Sequence, residues 1–384
     1  MEESLRLVLI LFFFTVAEYI WVRVGFPSRG RKIWGISQIF IIVFVFNTLL
    51  SSLIVTLVYF LSTILFVNYL LFNQKVQIYK LALFVVFCIL LYFSLRYYFR
   101  EAVLLNSLVF VGLSFLFFKC VNLLFQTRIE GASISRGEAF LYILDPFTII
   151  MGPISNIRTF VSPKGSLDQK VFRQSISRIL LGLLKLFVCA PQFNFISLDA
   201  ALASDIQGVS PILFLLLCWG SYLSLYFNFS GWIDIVISLS RLRGRALDEN
   251  FNCPLLSKSV QDFWNRWHIT LTELLRKIVF TPTLLFLSRI RKTGGWYMFS
   301  AIAAITVTMI FIGIWHGPRS QHLAFALWHA IGISSSLVIR AHPLLSNGIA
   351  KIPLALRVFI VQNYIAVSMC WLFGHGLTVD WMPA

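Results

Sequence analysis

Apolar stretches of about twenty residues recur along almost the whole of this chain, and a helix of that length just crosses the hydrocarbon core of a bilayer. A soluble core cannot hide so many of them in 384 residues. Segments 5–22, 36–50, 52–72, 81–99, 103–125, 177–195, 211–240, 296–316, 322–339 and 353–374 each read as a spanning helix. The expected fold is therefore all-α: a polytopic membrane protein with about ten spans, in one integral membrane domain over 1–384. Only 12% of residues are charged and 58% are hydrophobic, whereas soluble domains carry roughly 25% charged residues.

The net charge of +16 would suggest nucleic acid in a soluble protein. Here the Lys and Arg sit in short loops between apolar spans, where they mark the cytoplasmic side and meet anionic lipid. Arg23, Arg29, Arg31 and Lys32 place the first loop inside, as do Lys164 to Arg173 and Arg241 to Arg245 for theirs. The loop 196–210 holds Asp199 and Asp205 with no Lys or Arg, and reads as outside. Arg96 and Arg100 flank an outside loop against this rule; long cationic side chains can snorkel to the interface. The acidic start, Met1-Glu2-Glu3-Ser4, lacks the basic n-region of a signal peptide, so the first helix is expected to be retained. The six cysteines lie mostly in apolar runs and form no CxxC pair, which suits small buried hydrophobes.

Two stretches do not behave as simple spans. Residues 139–157 are apolar but broken by Asp145-Pro146 and Gly152-Pro153, and read as re-entrant, a backbone tolerated at membrane depth only inside protein or along a cavity. Residues 255–292 interleave Trp, Phe and Leu with Arg, Lys, Asp and His. A central Arg or Asp facing lipid costs roughly 2.5–3.5 kcal/mol. Amphipathic and re-entrant helices lining a cavity answer that cost, and a hairpin lying flat on the inner leaflet is the alternative.

Polar residues at membrane depth each call for a partner or a function, and they are densest over 226–329. His316 follows nineteen residues, Trp296 to Ile314, without a charge. An imidazole in so apolar a place stays neutral and can act as a general base; an interfacial histidine beside a belt tryptophan is the plainer reading. His268, beside Trp267, carries the same ambiguity. His316, His322 and His329 invite a metal reading, but no carboxylate lies close in sequence, so no metal and no cofactor is expected. Neither a GxSxG nucleophile elbow nor a P-loop is present.

The run Phe227 to Asp234, then Glu249-Asn250-Phe251-Asn252-x-Pro254, then Phe263-Trp264-x-Arg266-Trp267-His268-Ile269-Thr270-Leu271 resembles the signature of the bacterial membrane-bound O-acyltransferases. That branch includes the alginate O-acetylation and teichoic acid D-alanyl transfer membrane proteins. Trp315-His316-Gly317 resembles the family's WHG motif, and His329 matches a further histidine one short helix later. Ser114-Phe115 with Val121, Gly152-Pro153 and Gly182-Leu183-Leu184-Lys185 extend the likeness, which covers roughly residues 105–375. Departures stand at Asn228, where the family often has Asp, at Leu274-Leu275-Arg276-Lys277 and at Phe373-Gly374-His375-Gly376.

The resemblance implies spanning, re-entrant and interfacial helices around a central tunnel in a bacterial cytoplasmic membrane. It implies transfer of an acetyl, D-alanyl or similar acyl group from a cytoplasmic thioester donor, acyl-CoA or acyl carrier protein. The acceptor would be a hydroxyl of a cell-surface polysaccharide, or a partner acyltransferase outside. The narrower enzyme class expected is an acyltransferase of groups other than amino-acyl or D-alanyl-type groups. His316 and His268 are the implied catalytic residues. Asn228, Ser230, Asp234, Asn250, Trp264, Arg266, Trp267, Trp315 and His329 are implied to bind substrate. The simple topology sets His268 by the inner face and His316 at the outer end of a span, so the two can share a substrate only if 255–292 dips inward. A transporter or scramblase, and a non-catalytic scaffold of an export complex, are the other classes this sequence admits.

Overall fold

The computed structural model describes residues 107–149, 151–162, 168–203, 209–291, 293–317 and 319–373. The spans expected at 5–22, 36–50, 52–72 and 81–99, the retained first helix and the basic loop Arg29 to Lys32 lie outside these residues. The described residues are helical, with one isolated antiparallel bridge between Phe251 and Trp267. Five helices are long and apolar enough to cross a membrane: Gln169–Phe195, Pro211–Leu242, Gly294–His316, Ser320–Ala341 and Leu354–Leu372. They fall where the apolar runs place them, and the protein is a multi-pass integral membrane protein.

By their own contacts the residues form two compact units. The first takes in residues up to Leu181 together with Trp232–Asp248. Its helices are α1 (Ser107–Arg128), α2 (Arg136–Ile143), α3 (Pro146–Ile149) and α4 (Ile157–Val161), with the start of α5 (Gln169–Phe195). Helix α2 opens on a capping box, in which Ser135 accepts from the Glu138 backbone and Glu138 from the Ser135 backbone. Among the described residues of 139–157, α2 ends at Ile143, the single turn α3 follows Asp145, and residues 152–156 take no regular secondary structure. Gly152 is required there, because a Cβ would stand 2.2 Å from Thr148 Cα.

Within a largely apolar interior, this unit buries several paired polar side chains. Asp145 and Arg243 form an ion pair at 3.0 Å with both side chains fully buried, and the guanidinium lies over the Phe147 ring. Lys119 donates to Thr148 Oγ1 at 2.6 Å, and that hydroxyl donates to Asp145 Oδ2 at 3.1 Å. Asn122 donates to Tyr142 and to the Ser155 carbonyl, both at 3.0 Å. Arg178 pairs with Asp234 at 2.8 Å.

The second unit comprises Gly182–Gly231 and Glu249–Ala384. It holds the rest of α5, α6 (Leu198–Ala203) and the Pro211–Gly231 part of α7 (Pro211–Leu242). Next come α8 (Val260–Trp264), α9 (Ile269–Leu275), α10 (Thr281–Ser288), α11 (Gly294–His316), α12 (Ser320–Ala341), α13 (Pro343–Ala350) and α14 (Leu354–Phe373). Helix α11 starts on Thr293, whose side chain accepts from the Trp296 backbone. A π turn, Arg276–Phe280, joins α9 to α10, and both it and α10 pack on α11. Helices α11 and α12 approach closely at Gly313, where a Cβ would come within 2.6 Å of the His322 carbonyl oxygen. Helix α8 packs on α12 across Gly332, where a Cβ would meet Val260 and Tyr364 at 2.8 Å. The stretch 255–292 thus lays its short helices against two spanning helices. Phe263 and Trp267 are buried, while Asn265 is exposed.

Candidate active site

Asn250 organises the histidine that the FWxRWH run carries. It is fully buried, and three donors converge on its side-chain oxygen: the Thr270 backbone N–H at 3.2 Å, the Thr270 hydroxyl at 3.0 Å and His268 Nδ1 at 3.1 Å. A backbone N–H cannot accept, so the atom facing it is the amide oxygen. His268 must then carry its proton on Nδ1, which leaves the lone pair on Nε2. The Asn250 carbonyl also accepts from the Ile269 N–H at 3.0 Å, and the Asn252 N–H donates to the Arg266 carbonyl at 3.0 Å. These bonds flank the Phe251–Trp267 bridge, so two short extended segments present the histidine.

The His268 backbone is left-handed, φ 43 and ψ 52, at the N-cap of α9. A residue with a Cβ pays for that conformation and keeps it only where its surroundings over-determine it. The two non-glycine residues with positive φ among the described ones, Cys253 and His268, both fall in this stretch. The imidazole is 6% exposed, and the Phe229 ring meets it edge-on at 4.9 Å. Burial first, and the charge of His316 second, lower its pKa from the ordinary 6.5 to about 3. His268 is therefore neutral at physiological pH, and His316 lies close enough for its charge to be felt.

His316 closes α11, half-buried, with the Trp315 ring 4.7 Å away. A chain of rings links it to the other motif. His316 stands 5.9 Å from Phe325, Phe325 4.4 Å from His329, and His329 5.3 Å from Trp264 and 6.4 Å from Phe263. Phe263 then stacks on Trp267 at 5.4 Å. The two tryptophan–histidine motifs therefore meet within one unit. Helix α8 brings this about by packing Trp264 against His329, one helical turn after the α12 residue Phe325, which covers His316.

His329 uses both ring nitrogens inside the protein. Trp264 Nε1 donates to its Nδ1 at 3.2 Å. The Ser368 hydroxyl donates to the Ile365 carbonyl at 2.6 Å, so its oxygen accepts from His329 Nε2–H at 3.1 Å. The proton is thus on Nε2, the opposite tautomer to His268, and no lone pair remains for a ligand.

The other implied residues scatter more. Arg266 pairs with Asp262 at 2.9 Å and donates to the Asn252 carbonyl at 3.2 Å. Ser230 is buried, with its hydroxyl unpaired. Asn228 is exposed on α7. Asp234 belongs to the first unit and to Arg178. Phe229, quoted in a motif run but given no role, contacts the His268 ring, and Phe325, which lies in no motif, joins two histidines. Phe325 stands four residues before His329, one helical turn, and that spacing is the only signal the sequence holds for it.

No protein-family profile matches the chain. It is similar to a teichoic acid D-alanyltransferase of Bacillus subtilis (strain 168), 29% identical over 236 residues, 59% of this chain and 58% of that protein. It is similar to a probable alginate O-acetylase of Pseudomonas aeruginosa, 30% identical over 161 residues, 41% of this chain and 28% of that protein. A peptidoglycan O-acetyltransferase of Helicobacter pylori is 30% identical over 162 residues, 41% of this chain and 27% of that protein. The chain thus spans less than three fifths of the length of these relatives. The expectation that D-alanyl-type groups are excluded is overturned, since relatives at 28–29% identity are named D-alanyltransferases. Proteins named for D-alanyl transfer and for acetyl transfer are both similar to this chain, so the resemblance could not support that exclusion.

Proposed function

These relatives bear out the likeness to the bacterial membrane-bound O-acyltransferases, and from that kinship we propose that the chain is a membrane acyltransferase acting on a cell-envelope polymer. The full protein would place about ten spans, with re-entrant helices, around a central tunnel in the cytoplasmic membrane. A thioester donor, acyl-CoA or acyl carrier protein, would enter from the inside, drawn by Arg266, Arg276 and Lys277. The acceptor is a hydroxyl on the outside, on the polymer or on a partner acyltransferase.

In the proposed step His316 takes the proton of the acceptor hydroxyl while its oxygen attacks the thioester carbonyl carbon. The C–S bond then breaks, and the leaving thiolate recovers the proton from His316. His268, with its lone pair on Nε2, accepts a hydrogen bond from a neighbouring donor group of the acceptor and so orients it. The observation that carries this reading is the ring chain that brings His316 and His268 into one unit. Purified protein in nanodiscs, supplied with acetyl- and D-alanyl-labelled thioester donors, tests it. Release or transfer of label that is lost in His316→Ala supports the enzyme. Equal turnover by a well-inserted His316→Ala protein overturns it.

A further inference from the structure

We infer that Asn250 is a positioning residue: it holds His268 in the tautomer that points a lone pair toward the acceptor, and its neutrality is what the site requires. The inference rests on the reading of His268 as the acceptor-orienting histidine, but its central claim concerns the ring's protonation and is measured without turnover.

The argument starts from the three donors on one oxygen. The Thr270 backbone N–H and hydroxyl fix the amide orientation, so the third position can only accept from His268. The Ile269 N–H on the Asn250 carbonyl closes the ring's freedom from the backbone side. The left-handed φ at His268 then aims the imidazole into the Phe229 edge contact. This arrangement has a cost. Asn250 Nδ2 is buried with no hydrogen-bond partner among the described residues, and a buried donor without an acceptor is destabilising. An aspartate has the same shape, would accept the same three donors and would carry no orphan N–H. Its charge would be fully buried, however, and removing a carboxylate from water is itself costly.

What an aspartate changes is charge. A carboxylate on Nδ1–H favours the imidazolium, which protonates Nε2 and removes the lone pair. His316 is the other titratable group whose charge reaches the ring, and a cation there opposes the imidazolium. The amide accepts from Nδ1–H without adding a charge, and so leaves the ring neutral with its proton on Nδ1.

The near-isosteric change Asn250→Asp separates this role from a packing role. In 15N-histidine-labelled full-length protein in nanodiscs, His268, assigned by difference from His268→Gln, should show a protonated Nδ1 and an unprotonated Nε2. In Asn250→Asp both nitrogens should become protonated. Acyl transfer at neutral pH should fall by about tenfold or more and recover as pH rises. In Asn250→Ala the fixed tautomer should be lost. A wild-type His268 with its proton on Nε2 overturns the inference whatever the variants do. So does an Asn250→Asp protein that keeps the neutral ring and full activity. Loss of all transfer in the wild type, with the Nδ1–H tautomer present, would instead count against the proposed reaction and leave the tautomer assignment standing.

Discussion

The two units bury polar side chains by opposite means. In the first, charge answers charge: Asp145 lies between Arg243 and the Lys119–Thr148 pair, with each bond inside the fold. In the second, neutral rings do the work, and the polar atoms that matter are histidine nitrogens set by one-directional donors. A buried ion pair specifies a unique arrangement but is tolerant of chemistry, since a matched apolar pair can often replace it. A buried imidazole whose tautomer is set by its neighbours is the reverse, because its value lies in which nitrogen holds the proton. The contrast separates residues that keep the protein folded from residues that would act on a substrate.

The strongest test of that division is His316→Ala. It should reduce acyl transfer by about 10²–10⁴-fold, the range for loss of a general base, with membrane insertion and melting temperature unchanged. If insertion fails, the second unit's histidines are structural after all. Next is Arg243→Ala, which strands the Asp145 carboxylate and should cost about 3–5 kcal/mol, measured by thermal unfolding in detergent. Joint replacement, Arg243→Met with Asp145→Leu, should restore most of it; persistent loss would mean the pair does more than hold the fold.

Acid titration sharpens the comparison further. The folded-state pKa of His268 is depressed below its unfolded value of 6.5, so folding excludes a proton. Its contribution to stability is present above pH 6.5 and is lost as pH falls toward about 3. Melting temperature measured across that window should fall with acid, and less steeply in His268→Gln. The smallest effect belongs to Trp264→Phe, which removes the donor to His329 Nδ1 but keeps a ring in place. It should cost about 1 kcal/mol and change transfer by less than about tenfold. A larger loss in calorimetry or activity would move His329 from a packing residue to part of the reaction.

Much of this was legible before any coordinates. A run of apolar residues long enough to span is a local signal, and 211–240, 296–316, 322–339 and 353–374 became helices within a few residues of those limits. The breaks at Asp145 and Gly152 were equally local, since each precedes a proline. What could not be read is pairing across distance. Asp145 and Arg243 are 98 residues apart, and Asn250 and His268 are 18 apart across loops and the short helix α8, so no single helical period relates them. The motifs named His268, Asn250 and His329 together, but they could not say that one histidine keeps a lone pair on Nε2 while the other spends both nitrogens. That distinction depends on Ser368, which no motif singles out, and on Thr270, whose place in a motif run does not say which oxygen its donors meet. The acyl group escaped for a related reason, because relatives named for D-alanyl and for acetyl transfer are alike similar to this chain.

The π turn Arg276–Phe280 carries a consequence for how such a site can change. A π turn holds one residue more than the α-helical turn it replaces, so it acts as a phase-shifter between α9, capped by His268, and α10, which lies on the helix ending in His316. Removing one residue would let the two segments run as a single regular helix, rotated by about 100° relative to each other. The angular setting of one histidine-bearing segment against the other is thus kept by a single surplus residue. Insertions and deletions there act as a clock hand for the site, while substitutions at the same positions leave its bearing untouched.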